Sequence, residues 1–240
     1  MMQIGNGEFW LGDCLERMAD IPDGSVDMIL CDLPYGTTQN KWDTVIPFES
    51  LWEQYWRVLR NNGAVVLTAQ CPFDKVLGAS QISYLKYEWI WQKTRATGHL
   101  NAKKQPMKAH ENVLVFYRSQ CVYNPQMTAG KPYVLRSGRG SDNYGSQVSV
   151  LTENTGERYP TTIQRVTSET GLHPTQKPVA LFEYLIRTYT DEGMTVLDNC
   201  AGSGTTAIAA ERTGRRWICI EREPSYYYPA VGRVWGELNK

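Results

Sequence analysis

The chain lacks net charge: 25 Lys and Arg stand against 25 Asp and Glu in 240 residues. No whole-molecule field therefore draws it to a polyanion, and any nucleic-acid surface must be a local patch. Its six cysteines (Cys14, Cys31, Cys71, Cys121, Cys200 and Cys219) form no C-x-x-C pair, and no histidines are paired at ligand spacing. That argues against zinc and against a disulfide framework, and for reduced, mostly buried thiols in a cytoplasm. No apolar run approaches the roughly 18–20 residues that span a bilayer. Met1 to Gly12 has no basic start followed by an apolar core, so no signal peptide is expected. Internal repeats, low-complexity runs and the G-x-G-x-x-G phosphate turn are also missing. The expectation is a soluble cytoplasmic protein with no membrane partner.

What is present is globular: 42% hydrophobic and 21% charged residues, enough for one domain with an inserted lobe. Eight Trp and fourteen Tyr are many for this size; packing explains most, and stacking surfaces can use a few. Apolar runs at Phe9–Leu11, Val26–Cys31, Ala64–Thr68, Tyr84–Gln92 and Asn112–Tyr117 read as strands. Helical spacing marks Cys14–Ala19, Phe48–Arg60 and Pro72–Ser83, with Asn61-Asn62-Gly63 read as a helix stop. From Gln120 to Thr170 the periodicity fades into Gly, Ser, Thr, Asn and Tyr, as in an inserted lobe or a long irregular excursion. Order resumes with a helix over Val179–Tyr189, a strand at Thr195–Leu197, a helix over Thr206–Arg212 and a strand at Trp217–Ile220. Alternating strands and helices predict an α/β fold, Rossmann-like, with a mostly parallel sheet and helices on both faces.

Two strand ends carry chemistry. The first is Asp32-Leu33-Pro34-Tyr35, which breaks an apolar strand with a carboxylate, a rigid backbone and a flat ring. Such clusters fall at the carboxyl edge of open α/β sheets, where ligands bind, and these groups suit a planar base held by its amino group. The second is the turn Asp198-Asn199-Cys200-Ala201-Gly202-Ser203-Gly204-Thr205, followed by a helix and by a strand ending in Glu221. Gly202 and Gly204 admit close backbone approach, and Glu221 is placed to accept from two ribose hydroxyls. Asp198 would repel a pyrophosphate, whereas a nucleoside with a cationic amino-acid tail, such as S-adenosylmethionine, fits. The plainer alternative is a strand-to-helix turn whose glycines serve packing.

Together these stretches resemble the β group of DNA amino-methyltransferases. Asp32-Leu33-Pro34-Tyr35 is similar to their D-P-P-Y catalytic motif, Asp198 to Gly204 to their cofactor turn, and His173-Pro174-Thr175-Gln176-Lys177-Pro178 to the block before that turn. The order of catalytic half, variable lobe and cofactor half matches too, and covers nearly all of the chain outside 120–170. Leu33 stands where a proline is usual and Cys200 where an aromatic is usual. The resemblance implies a methyltransferase domain with a catalytic half (1–119), an inserted target-recognition region (120–170) and a cofactor half (171–240). It implies S-adenosylmethionine as cofactor, held by Asp13, His173, Lys177, Asp198, Cys200, Ala201, Gly202, Ser203, Gly204, Thr205 and Glu221. Asp13 would accept from the cofactor's adenine amino group; the alternative is an ordinary Gly-Asp turn. Lys177 would meet the cofactor's carboxylate; the alternative is a solvated charge before a helix. It also makes double-stranded DNA the partner, and adds a homodimer and a cognate restriction nuclease as candidates.

The expected reaction is methyl transfer to the N6 amino group of a flipped-out adenine in a specific sequence. Asp32 and the Leu33 carbonyl would accept the amino hydrogens, Pro34 would supply rigidity and Tyr35 would stack on the base. Cytosine N4 is the close alternative; a nucleotide-dependent oxidoreductase and a non-catalytic DNA-binding module are more distant ones. Between Trp89 and His110 there is no acid, and Lys93, Arg95, Lys103, Lys104 and Lys108 are candidates for phosphate contact. The alternative there is a solvated loop. Arg136, Arg139, Asn143, Gln147, Arg158 and Gln164 are the candidates for reading base edges, and His110-Glu111 opens a strand that would position that edge.

Overall fold

The computed structural model describes residues 1–38, 40, 43–137, 150–169 and 176–239. In chain order the elements are β1 (Met2–Ile4), β2 (Gly7–Leu11), α1 (Cys14–Met18), β3 (Val26–Asp32), α2 (Phe48–Val58), β4 (Leu59–Ala69), α3 (Phe73–Ser80), β5 (Leu85–Thr97) and β6 (Lys108–Phe116). There follow β7 (Thr128–Ala129), β8 (Tyr133–Ser137), β9 (Val150–Asn154), β10 (Glu157–Arg158), β11 (Ile163–Val166) and α4 (Val179–Tyr189). The last four are β12 (Thr195–Asp198), α5 (Thr205–Arg212), β13 (Arg216–Glu221) and α6 (Pro224–Leu238).

Nine strands make one sheet in the order β1-β2-β13-β12-β3-β4-β6-β5-β11. The β1–β2, β4–β6 and β5–β6 pairs are antiparallel and the rest are parallel. This is the mostly parallel α/β sheet expected from the sequence. Its central strand shows why: Met28 and Leu30 enter one apolar cluster with side chains of α4, α5 and α6, while Ile29 and Cys31 enter another with those of α1, α2 and α3. A strand covered on both faces has no polar side to show, so it reads as a continuous apolar run.

Asn61-Asn62-Gly63 does not stop a helix. The helix has already ended at Val58, and β4 runs through these residues from Leu59. A register shift between Val26 and Met28 lets β3 follow it. Glycine is required at 63 by crowding: a Cβ there would sit 2.7 Å from Leu59 and 2.8 Å from the Asp27 carbonyl oxygen.

Among the described residues, the stretch after Gln120 carries more strand than its composition suggests. Pro125–Thr161 forms a compact unit apart from the remainder of the chain, narrower than the 120–170 insertion expected from composition. Within it β8 pairs with β9 and β10 with β7, both antiparallel. Ile163–Val166 belongs to the larger unit, where β11 adds to the sheet edge parallel to β5.

The carboxyl edge of the sheet collects acids. β3 ends on Asp32, β12 on Asp198 and β13 on Glu221, and Asp13 follows the end of β2. Because β6 runs antiparallel, its beginning reaches this same edge, with Asn112 opposite Ala69 and Glu111 opposite Trp91.

Candidate active site

One cavity of about 480 Å³ opens at this edge, within the roughly 300–1,000 Å³ of small-molecule sites. Its wall includes Asp32, Leu33, Pro34 and Tyr35 from the first strand end. It also includes Asp198, Cys200, Ala201, Gly202, Ser203 and Thr205 from the glycine turn, together with Asp13, Lys177 and Glu221. Stretches 145 or more residues apart in sequence thus meet because β3 and β12 are neighbours in the sheet.

Asp32 is held from both sides. Its Oδ1 accepts from the Tyr35 hydroxyl at 2.7 Å and from the Thr68 hydroxyl, and its Oδ2 accepts from Lys177 Nζ at 2.6 Å. Lys177 lies 3.3 Å from Glu111 Oε2, and Glu111 Oε1 pairs with Lys93 Nζ at 2.5 Å and accepts from Gln70 Nε2 at 2.7 Å. The result is a chain of alternating charge, Asp32–Lys177–Glu111–Lys93, whose last three side chains are 6–7% exposed. Burial pushes the Glu111 carboxyl up, yet Lys177 and Lys93 outweigh it and hold it below the usual glutamate range. Burial likewise opposes the charge on Lys177, and Asp32 and Glu111 raise its pKa in spite of that.

Two sequence readings change here. Lys177 is not a solvated charge; its ammonium is buried against Asp32. Lys93, expected on DNA phosphates, lines the cavity with its ammonium nearly buried on Glu111. Tyr35 uses its hydroxyl on Asp32 and stacks one face on Phe73 at 5.0 Å. The loop beyond it is pinned by Asp43, whose carboxylate accepts the backbone N–H groups of Gly36, Thr37 and Thr38 at 2.7–2.9 Å.

The glycine turn is built from within. Burial raises the Asp198 carboxyl to about 6, against hydrogen bonds from the Thr206 hydroxyl and, at 3.0 Å, the Cys200 N–H. Asn199 accepts the buried Tyr55 hydroxyl at 2.6 Å. Gly202 and Gly204 both have positive φ, +50° and +76°. Gly202 donates its N–H to Glu221 Oε2 at 2.8 Å, and Glu223 N–H donates to Oε1 at 2.8 Å, so Glu221 ties the turn to the next strand end. Gly204 itself packs toward Phe9 and Val234 rather than onto the cavity wall. Asp13 lines the cavity while its Oδ1 caps α1, accepting from Leu15 N–H at 2.9 Å. Cys200 sits beside Cys14 and Cys31, and burial lifts the Cys31 thiol to about 12, which keeps it protonated and unreactive.

Of the other expected residues, Arg95 lines the cavity and is exposed, and Lys103, Lys104 and Lys108 are exposed away from its wall. Arg136 is exposed on β8 in the small unit. Arg158 is occupied within that unit, bonded to Asn154 and Lys131 and 4.7 Å over the Tyr133 ring. Gln164 lies on β11, in the main sheet. His173, Arg139, Asn143 and Gln147 lie outside the described residues. Sequence reasoning missed Thr68, Gln70 and the role of Glu111. A carboxylate at the head of the apolar strand 113–116 was the available signal, but only the antiparallel turn of β6 brings it to the edge.

The mostly parallel sheet brings the motif at the end of β3 and the glycine turn at the end of β12 to one cavity. The comparisons give the family. The DNA methylase family of N6 and N4 enzymes matches residues 26–231, and the chain belongs to it: it is an S-adenosylmethionine-dependent DNA methyltransferase. YubD of Escherichia coli (strain K12), itself named only as a candidate methylase, is 28% identical over 240 residues, 94% of this chain and 89% of that protein. The M1.HpyAVI–SAM complex is 24% identical, with TM-score 0.67, covering 95% of this chain and 98% of that one. The cytosine-N4-specific PvuII DNA methyltransferase is 16% identical, with TM-score 0.68 and coverage of 99% and 93%. These solved structures bear on the fold.

Proposed function

We propose that the chain methylates the N6 amino group of an adenine flipped out of a specific DNA sequence. The observation that supports this most is the seat of Asp32: a carboxylate fixed at a strand end by Tyr35, Thr68 and Lys177, in one cavity with the glycine turn.

The residues of the cofactor side fit S-adenosylmethionine. Gly202 and Ser203 bring backbone to the cavity wall, Glu221 and Asp13 offer carboxylates to hydroxyl and amino donors, and Asp198 suits a cationic tail. When bound, the cofactor supplies an electrophilic sulfonium methyl. On the base side, an exocyclic amino nitrogen is a weak nucleophile because its lone pair is delocalised into the ring. Asp32 and the Leu33 carbonyl would accept its two hydrogens and favour a pyramidal nitrogen whose lone pair points at the methyl. What remains is alignment, with the reacting atoms about 3–3.5 Å apart. The N–C bond forms as the S–C bond breaks, and Asp32 stands where the nitrogen sheds its proton. Tyr35 would stack on the base with the ring face opposite Phe73. No thiol takes part.

Arg95, Lys103 and Lys104 are the exposed cations that would meet phosphates, and Arg136 with Arg139 would serve the recognition region, 120–170. Cytosine N4 is the second reading, favoured by the likeness to the PvuII enzyme; the aspartate that opens the motif favours adenine by resemblance. A homodimer and a cognate nuclease are further proposals by the same resemblance. Nucleoside mass spectrometry of DNA from cells expressing the protein separates the two bases. N6-methyladenine is expected, and N4-methylcytosine alone refutes the adenine assignment.

A further inference from the structure

The inference rests on the reading of Asp32 as the acceptor of a base's amino hydrogen. A carboxylate offers about four lone-pair sites. Two on Oδ1 are taken by the hydroxyls of Tyr35 and Thr68, and one on Oδ2 by the Lys177 ammonium. An incoming amino hydrogen therefore binds Oδ2, directly beside Lys177. An ammonium carries three protons. Lys177 gives one to Asp32 at 2.6 Å, its Nζ lies 3.3 Å from Glu111 Oε2 as an ion pair without a hydrogen bond, and the residue lines the cavity. An acceptor and a donor thus stand side by side where the base edge must lie.

That order has a chemical complement. On the Watson–Crick edge, adenine and cytosine both set a ring-nitrogen acceptor beside the exocyclic amino donor: N1 beside N6, or N3 beside N4. Thymine and guanine set a ring N–H beside a carbonyl there, which meets Lys177 and Asp32 donor to donor and acceptor to acceptor. We infer that Lys177 is a specificity-determining residue whose ammonium donates to the ring nitrogen next to the methylated amino group. The same pair then admits both amino bases and rejects both lactam bases. Glu111, fixed by Lys93 and Gln70, holds the ammonium in place. The resemblance implied that Lys177 meets the cofactor's carboxylate; the contacts of its ammonium with Asp32 and Glu111 favour the target side.

The test removes one atom of the base. After the methylated sequence is mapped, duplexes are made with the target adenine replaced by 1-deazaadenine or by 7-deazaadenine (3-deazacytosine if the target is cytosine). Wild type should lose roughly ten- to hundredfold in transfer rate on the 1-deaza target, the range for a hydrogen bond to a charged group, and little on the 7-deaza target. Lys177→Met should be slow on every substrate yet indifferent to the missing ring nitrogen. Since that variant leaves two carboxylates facing each other, Lys177→Met/Glu111→Gln, which removes one charge of each sign and leaves Lys93 without its carboxylate, is run beside it once its fold is checked by circular dichroism. Equal wild-type rates on adenine and 1-deazaadenine overturn the inference, as does a ring-nitrogen effect that the folded double variant keeps in full. A wild type that methylates no DNA removes the amino-methylation reading, which is a different failure.

Discussion

Glu111→Gln should be among the most damaging single changes remote from the cofactor turn. Glu111 bridges two lysines, at 2.5 Å and 3.3 Å, and the Glu111, Lys93 and Lys177 side chains are all nearly buried. Neutralising it strands Lys93 and leaves Lys177 with Asp32 alone. Breaking a buried pair in this way costs about 3–5 kcal/mol. For a domain of this size that is a fall in Tm of roughly 6–20 °C, taking about 2–4 °C per kcal/mol. Removing both partners instead, in Lys93→Met/Glu111→Gln, should restore much of the loss, because no lone charge is then buried. The pH dependence has a definite sign. The folded carboxyl titrates below its ordinary value of 4.5, so its stabilisation is complete above that value and disappears as pH falls through the depressed folded pKa. Urea melts at pH 7 and across pH 3–6 measure all of this. A Glu111→Gln protein within about 0.5 kcal/mol of wild type, the level of an ordinary surface change, would refute the buried network.

Asp198 predicts the opposite slope. Its folded pKa of about 6 lies above the ordinary 3.8, so its contribution is full below 3.8 and lost as pH rises through 6, roughly 2–3 kcal/mol in all. Asp198→Asn should flatten that part of the stability profile, and an unchanged slope would contradict a buried, strained carboxyl. Gly204→Ala places a side chain at φ +76° with its Cβ 3.1 Å from Val234 and 3.3 Å from Phe9. It should cost about 1–2 kcal/mol from the left-handed backbone, and weaken S-adenosylmethionine binding by displacing the turn, as calorimetry would show.

The sheet was legible because its inner strands are buried on both faces and so appear as apolar runs broken by acids. Helix α4 matched its spacing, since Leu181, Leu185 and Ile186 pack one face of it against the sheet. The helix stop at Asn61-Asn62-Gly63 misled because the same residues suit a strand that crowds its neighbour, and sequence does not say which demand put glycine there. Asp32 and the glycine turn were readable as motifs. Their connection through Lys177 was not, for it depends on which strands are neighbours and on β6 running backwards. Lys93 looked like a free cation because the acid that neutralises it lies on another strand. Charge runs are read along the chain, whereas pairing happens across it.

The most direct test is transfer of labelled methyl from S-adenosylmethionine to unmethylated plasmid DNA, comparing wild type with Asp32→Ala, alongside calorimetric binding of S-adenosylhomocysteine to each. The account predicts label on DNA with wild type, at least about a hundredfold less with the variant, as for loss of a single key polar group at a reaction centre, and cofactor binding retained by both. A variant that transfers methyl groups as fast as wild type would contradict it.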